Sequence, residues 1–145
     1  MATNEFSKFY NNFNQDTSPE SIKTFIELGG DINEQASFQK WTLLNLAIEK
    51  GNIQGIKTLI EYGANIDVLN SFPPIFHAVD VDVDSCWQLN HSFDGLSFST
   101  LILLLNLGAD WELKNTKGET IRDVASAYGE VVLNGFDELV LPHCK

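Results

Sequence analysis

Residues 21–33 read SIKTFIELGGDIN, and residues 55–67 repeat this stretch as GIKTLIEYGANID. A third copy, STLILLLNLGADWE, occupies residues 99–112. The glycines that end the first two copies lie 34 residues apart, and the third follows 45 residues later. Self-similarity at a period of this size is typical of stacked repeats. The chain is therefore predicted to fold as an array of similar units.

Each copy predicts a short helix with one buried face. Apolar residues recur at positions i, i+3 and i+4, as at Ile22, Phe25 and Ile26. This spacing places them on one side of a helix. Ser18 and Pro19 are suited to cap and begin the first of these helices. A left-handed glycine is predicted to end each helix, and the three are Gly29, Gly63 and Gly108.

A second pattern precedes the later copies. Residues 42–47 (TLLNLA), 73–78 (PPIFHA) and 120–125 (TIRDVA) each predict a short helix with a small alanine for close packing. Gly51 and Asn52 supply a tight turn between the two helices of one unit. The first helix, around residues 5–14, is expected to cap the array.

These submotifs resemble the ankyrin repeat, a turn and two antiparallel helices with a T-P-L-H-x-A signature. The resemblance covers about residues 5–140 and implies an all-α ankyrin-repeat solenoid of about four helix-turn-helix units. One domain over residues 1–145 is expected. Its units are placed at residues 5–37, 38–70, 71–115 and 116–145, the last as a C-terminal cap.

The sequence departs from the family pattern in two ways. Asn45, Phe76 and Asp123 stand where the signature has histidine, so the turn network that this histidine supports is expected to be weaker. The third unit also carries about 14 extra residues, expected as a loop over residues 81–97. A loop of this length is usually functional or disordered. Its apolar side chains either fold back onto neighbouring units or stay partly exposed as partner anchors; they are Trp87, Leu89, Phe93 and Leu96.

The negative net charge of the chain limits the classes of partner that are expected. The net charge is -11, and no Lys or Arg occurs between Lys57 and Lys114. A chain this acidic repels phosphate backbones and anionic lipid, so neither nucleic acid nor membrane is an expected partner. A basic protein partner is favoured, because opposite fields speed encounter. A solvated surface without a partner is the alternative reading of the acidic stretch.

No catalytic, cofactor-binding or metal-binding motif is present, so an enzyme is not expected. Cys86 and Cys144 are expected as free thiols, and a nucleophilic pair of Cys86 with His77 or His91 is the one enzymatic candidate. No signal peptide or membrane-spanning run is recognisable, which favours a cytoplasmic location.

The family resemblance implies a protein-binding module that uses its hairpin tips and the first helix of each pair. The partner-binding residues expected at the tips are Phe38, Trp41, Asn70, Phe72 and Trp111. The inserted segment is expected to add Asp82, Asp84, Trp87 and Asp94. For Phe38 and Trp41, packing at the hairpin base is an equally open alternative.

Small, acidic, stand-alone ankyrin proteins are similar to bacterial immunity proteins, which neutralise a toxin domain. This resemblance implies an inhibitor that occludes a basic toxin domain such as a nuclease, as a monomer within a heterodimeric complex. A general intracellular adaptor or effector that binds a signalling protein is the alternative.

Overall fold

The structure, a computed structural model, describes residues 3–145. Over these residues the chain forms eight α-helices and one final 3-10 turn, with no strand. The predicted all-α class is therefore confirmed. In chain order the helices are α1 (Asn4–Asn12), α2 (Pro19–Glu27), α3 (Leu43–Lys50), α4 (Ile53–Glu61), α5 (Pro74–Asn90), α6 (Ser99–Asn106), α7 (Ile121–Ala127) and α8 (Glu130–Leu139), with the 3-10 turn at Leu141–His143.

The helices form consecutive pairs that stack into a solenoid. Helix α3 packs on α4, α5 on α6 and α7 on α8. In the first pair, Phe9 of α1 stacks on Phe25 of α2 with ring centroids 4.7 Å apart. Neighbouring pairs are joined because α3 packs against α5, α5 against α7, and α2 against α4. This arrangement is the array predicted from the repeats.

The predicted helix ends are confirmed. Ser18 caps α2 by accepting a hydrogen bond from the Ser21 amide at 3.1 Å, and Pro19 is the first helical residue. The glycines after α2, α4 and α6 adopt φ angles of 95°, 101° and 105° in the left-handed region. The alanines expected at close helix contacts are fully buried, and they are Ala47, Ala78 and Ala125.

A ladder of polar side chains sets the register between units. The Asn33 side-chain oxygen accepts from the Asn65 amide at 2.7 Å. At the equivalent place one unit later, Asp67 Oδ1 accepts from the Asp110 amide at 2.9 Å. Asp67 and Asp110 therefore have a structural role within the acidic stretch.

The structure corrects the loop that was expected over residues 81–97 of the third unit. Helix α5 continues without a break to Asn90, so only residues 91–98 form a connection. The extension is helical because Val83 and Cys86 lie on its buried face, one turn apart. The connection ends at Phe98, which is fully buried and packs edge-on against Phe136 at 5.9 Å.

The last pair closes the array. Val132, Phe136 and Val140 are buried, whereas Val131, Leu139 and Leu141 keep exposed faces. The apolar face of this C-terminal pair is therefore only partly covered. Among residues 3–145, no helix is long and apolar enough to cross a membrane.

Candidate functional site

The helical extension of α5 forms one wall of a surface cavity of about 320 Å³. Asp80, Val83, Asp84 and Trp87 line this wall at helical spacing, because positions i, i+3, i+4 and i+7 share one face. Two aromatic side chains complete the cavity, one from the connection after α5 and one from the end of α7. We call this cavity the α5 pocket, lined by Asp80, Val83, Asp84, Trp87, Phe93 and Tyr128.

Three aromatic rings adjoin one another in the α5 pocket. The Trp87 and Phe93 ring centroids lie 5.2 Å apart at an interplanar angle of 42°. Phe93 meets Tyr128 edge-on, with centroids 6.3 Å apart. Trp87 is 47% exposed and Tyr128 is 37% exposed, so both rings present apolar surface to solvent.

Two carboxylates face this aromatic group. Asp80 Oδ1 accepts a hydrogen bond from the Tyr128 hydroxyl at 3.2 Å. Asp84 Oδ2 accepts from the Gln88 side chain at 2.9 Å. Burial raises the pKa of Tyr128, and the charges of Asp80 and Asp84 raise it further. Both carboxylates therefore act on the same pocket.

The α5 pocket continues into a second cavity of about 240 Å³, since Asp80 and Tyr128 line both. The second cavity reaches the hairpin tips before α5 and before α7, at Phe72 and Lys117. Together the two cavities form one surface across the third and fourth units. Within residues 3–145, neither Asp80 nor Asp84 forms an ion pair with Lys or Arg.

The position of Asp82 in the structure does not fit the role in partner binding that was predicted for it. Its side chain is buried, and its two oxygens accept from the amides of Thr100 and Leu101 at 3.3 and 3.0 Å. Helix α6 begins at Ser99, and the side chain of the preceding residue, Phe98, cannot cap it, so the Asp82 carboxylate caps α6 from the neighbouring helix. Burial raises the pKa of Asp82, although these hydrogen bonds oppose the shift.

Asn70 is also buried, which contradicts the predicted partner contact. Its side-chain amide donates to the Lys40 carbonyl at 3.0 Å and to Asn45 Oδ1 at 2.7 Å. Asn45 in turn donates to the Phe72 carbonyl at 2.6 Å and caps α3 with Thr42. In the second unit, asparagine therefore takes the place of the signature histidine in bridging the turns.

The aromatic residues at the tips separate into packed and exposed groups. Phe72 stacks on the buried His77 at 4.3 Å, and Trp41 adjoins the same ring at 4.7 Å. Phe38 is 79% exposed and, with Trp41, lines another cavity of about 380 Å³ beside Tyr10. For Trp41 the packing alternative fits the structure, whereas Phe38 remains open to a partner.

Trp111 is partly buried against the core, and Asp94 is exposed in the connection after α5. Of the residues predicted for binding, only Asp84 and Trp87 come together in the α5 pocket. Asp80 and Tyr128 were not predicted as binding residues, and Phe93 was named only as one of the inserted side chains that could anchor a partner. Asp80 could have been found from its spacing to Asp84 and Trp87, had α5 been recognised as continuous.

The inserted apolar residues divide between buried and exposed positions. Phe93 and Leu96 pack against the core, whereas Trp87 is half exposed and Leu89 is 82% exposed.

The Cys86 thiol and the His77 ring of the enzymatic candidate each have other hydrogen-bond partners. The buried Cys86 thiol lies 3.5 Å from the carbonyl oxygens of Ser92 and Asp94, while His77 is held by Asn45 and Glu49. In the described part of the chain, no group of three or more His, Cys, Asp or Glu side chains is arranged to hold a metal ion. The arrangement offers recognition by charge and aromatic surface.

Comparison with known proteins agrees with the repeat unit seen at α3 and α4. The ankyrin repeat family model matches residues 39–68. Curated proteins give no match. The matched segment contains the helix pair α3 and α4 with its capping residues Thr42 and Asn52. Residues 3–145 thus form an all-helical stack in which residues 39–68 are similar to an ankyrin repeat, a unit that supports protein binding.

Proposed function

We propose that the protein is an inhibitor of the immunity type, which binds a basic protein domain and covers its functional surface. The observation that carries the proposal is the α5 pocket, where two carboxylates without a Lys or Arg partner adjoin three aromatic rings. Aromatic residues surrounded by polar groups are frequent binding hot spots.

The charge distribution supports a basic partner. The net charge is -11, and residues 58–113 contain no Lys or Arg to offset their carboxylates. Such a field accelerates encounter with a cationic surface and makes the association sensitive to salt. A toxin that handles nucleic acid has a surface of this kind, since Lys and Arg hold the phosphates of its substrate. Carboxylates of the α5 pocket would pair with those residues and exclude the substrate.

Site-specific photocrosslinking tests this function. A photoreactive phenylalanine at position 87 in the full chain should crosslink the partner in the cell of origin, and the same group at position 28, on the first unit, serves as the control. The captured protein is then purified, and its activity is measured with and without this chain. We expect a basic protein, inhibited in a 1:1 complex, and at least about tenfold weaker binding after charge reversal by Asp84→Lys.

The adaptor alternative gives a different result in the same experiment. A captured protein that keeps its full activity in the complex would contradict inhibition and indicate an adaptor. An acidic partner, or an affinity that does not change with salt, would contradict the proposed charge complementarity.

A further inference from the structure

The α5 pocket has the features of a receptor for a single cationic side chain. Its floor is the buried Val83, and one wall is formed by the two carboxylates Asp80 and Asp84. The rings of Trp87, Phe93 and Tyr128 provide the remaining surface. We propose that this pocket takes an arginine side chain of the partner; the proposal rests on the proposed function for its partner and deepens it.

Hydrogen-bonding capacity supports a planar cation with several donors. Asp80 Oδ1 already accepts from Tyr128 and Asp84 Oδ2 from Gln88. The other oxygen of each carboxylate has no hydrogen bond to any residue among 3–145. The two aspartates are one helical turn apart, so their side chains are neighbours on α5. A guanidinium group carries five N–H donors in a fixed plane and can reach both.

The aromatic surface favours arginine over lysine. A guanidinium plane stacks on an aromatic face while its edge donates to carboxylates at the side. The Trp87 ring, tilted by 42° to Phe93, is half exposed and lines the same cavity as Asp84. A lysine ammonium is a compact, strongly hydrated charge that gains less from a flat ring.

Among residues 3–145, no cationic side chain lines the α5 pocket, and Lys117 lines only the adjoining cavity. Within the described residues, the ion pairs formed by Lys or Arg are Lys23 with Glu27 and Arg122 with Asp137. Neither pair involves the pocket. A cation that pairs with the carboxylates beside Trp87 and Tyr128 would therefore come from another molecule.

Titration with small arginine derivatives tests the pocket without any partner protein. The full chain, labelled with ¹⁵N, is titrated with Nα-acetyl-arginine amide while the three tryptophan indole N–H signals are followed by NMR. The matched probes are Nα-acetyl-lysine amide and Nα-acetyl-citrulline amide, which is close to arginine in shape but uncharged. Trp87→Phe assigns the indole signal, and ionic strength is held constant.

We expect a saturable shift of the Trp87 indole with the arginine probe, at least about threefold weaker binding of the lysine probe, and no binding of citrulline. The indoles of Trp41 and Trp111 should not move. Equal shifts with lysine or added salt, or no saturable shift, would overturn the proposal.

Single substitutions locate the binding energy. Asp80→Asn and Asp84→Asn should each weaken the arginine probe at least about threefold, since each removes one charged acceptor. Asp94→Asn changes the net charge equally but lies outside the pocket lining, so it should leave binding unchanged. An equal effect of all three would contradict a defined pocket. Unchanged indole spectra before titration show that the variants are folded.

The two proposals can fail separately. If the probe does not bind but a basic partner is inhibited, the arginine pocket is wrong and the inhibitor function stands. If the probe binds as expected but the crosslinked partner remains active, the pocket stands and the inhibitor function is wrong.

Discussion

Asn45 donates its side-chain amide to Nδ1 of the buried His77 across 3.0 Å, and this bond joins the second unit to the third. The direction follows from the network, because Asn45 Oδ1 accepts from Thr42 and Asn70 and so cannot exchange places with the amide nitrogen. His77 Nδ1 must then be unprotonated. Its Nε2 carries the hydrogen and donates to Glu49 at 2.8 Å.

The first prediction concerns the stability of the protein at acidic pH. Burial lowers the pKa of His77 below its ordinary 6.5, although the hydrogen bond that His77 donates to Glu49 and the charges of Glu49 and Asp80 oppose the shift. The unfolded chain therefore takes up the proton first, so stability is complete above about pH 6.5 and falls as the pH drops through the folded-state pKa. The free energy of unfolding, measured by urea denaturation, should fall by at most about 1.4 kcal/mol per pH unit from this residue.

His77→Gln should remove this contribution to the slope, and the difference from the wild type is the measured quantity. Burial raises the pKa of Asp82, which acts in the opposite direction at lower pH and cancels in that difference. His91→Asn, at an exposed residue with φ of 52°, is the matched control. Equal slopes for wild type and His77→Gln would contradict the prediction.

The second prediction concerns Asn45 itself. Asn45→Ala removes the partners of Asn70, the Phe72 carbonyl and His77 together. Buried polar groups left without partners are costly, so the variant should lose about 2–4 kcal/mol of unfolding free energy. Asn33→Ala removes an exposed bridge between units and should lose less than about 1 kcal/mol. Similar losses for the two variants, measured by denaturant titration, would refute the central role of Asn45.

The third prediction concerns the cap of α6. Asp82→Ala leaves the amides of Thr100 and Leu101 without their acceptor, and should destabilise the protein by about 1–2 kcal/mol. Asp84→Ala, two residues along the same helix, removes an exposed carboxylate and should change stability by no more than about 0.5 kcal/mol. Thermal unfolding of the two variants gives the comparison. Equal stability of both would show that Asp82 does not cap α6.

The fourth prediction couples two residues of the first unit. Gly30 occupies the position held by Ala64 in the second unit, and a Cβ there would lie 2.4 Å from the Phe25 ring. Gly30→Ala should therefore cost about 1–3 kcal/mol by overpacking. The second unit has Leu59 in place of Phe25, so Phe25→Leu should make room for the alanine.

A double-mutant cycle measures this coupling from the unfolding free energies of the wild type, the two single variants and the double variant. Gly30→Ala should cost at least about 1 kcal/mol less in the Phe25→Leu background. Additive effects would mean that the Phe25 ring is not what excludes a side chain at position 30.

The local and repeating features of the fold could be predicted from the sequence alone. The period, the helix-ending glycines, Ser18 and Pro19 at the start of α2, and the buried alanines follow from short-range rules. The pairs of helices and the fold class follow from their repetition. The loop expected at residues 81–97 was wrong for residues 81–90, because the spacing of Val83 and Cys86 was not recognised as a continuing helix.

The candidate site was predicted only in part, since it depends on distant segments. Asp84 and Trp87 were predicted, but Tyr128 lies 41 residues beyond Trp87 and meets the pocket only when the fourth unit stacks on the third. Asp82 and Asn70 were assigned to a partner because their own hydrogen-bond partners are distant in sequence: the amides that donate to Asp82 belong to α6, and the carbonyl that accepts from Asn70 belongs to the preceding tip.

The amino-acid order by itself determined the repeating helices, their ends and the acidic character of the chain, because each depends on spacing within one unit or on a sum over residues. The stacking of the helix pairs decided which acidic side chains form hydrogen bonds within the protein and which face solvent. Asp82 caps α6. Asp80 and Asp84, on the same helix as Asp82, are exposed beside aromatic rings from two other segments. Helical periodicity separates Asp82 from its neighbours, and only the packing of α5 against α6 and α7 assigns each face its environment.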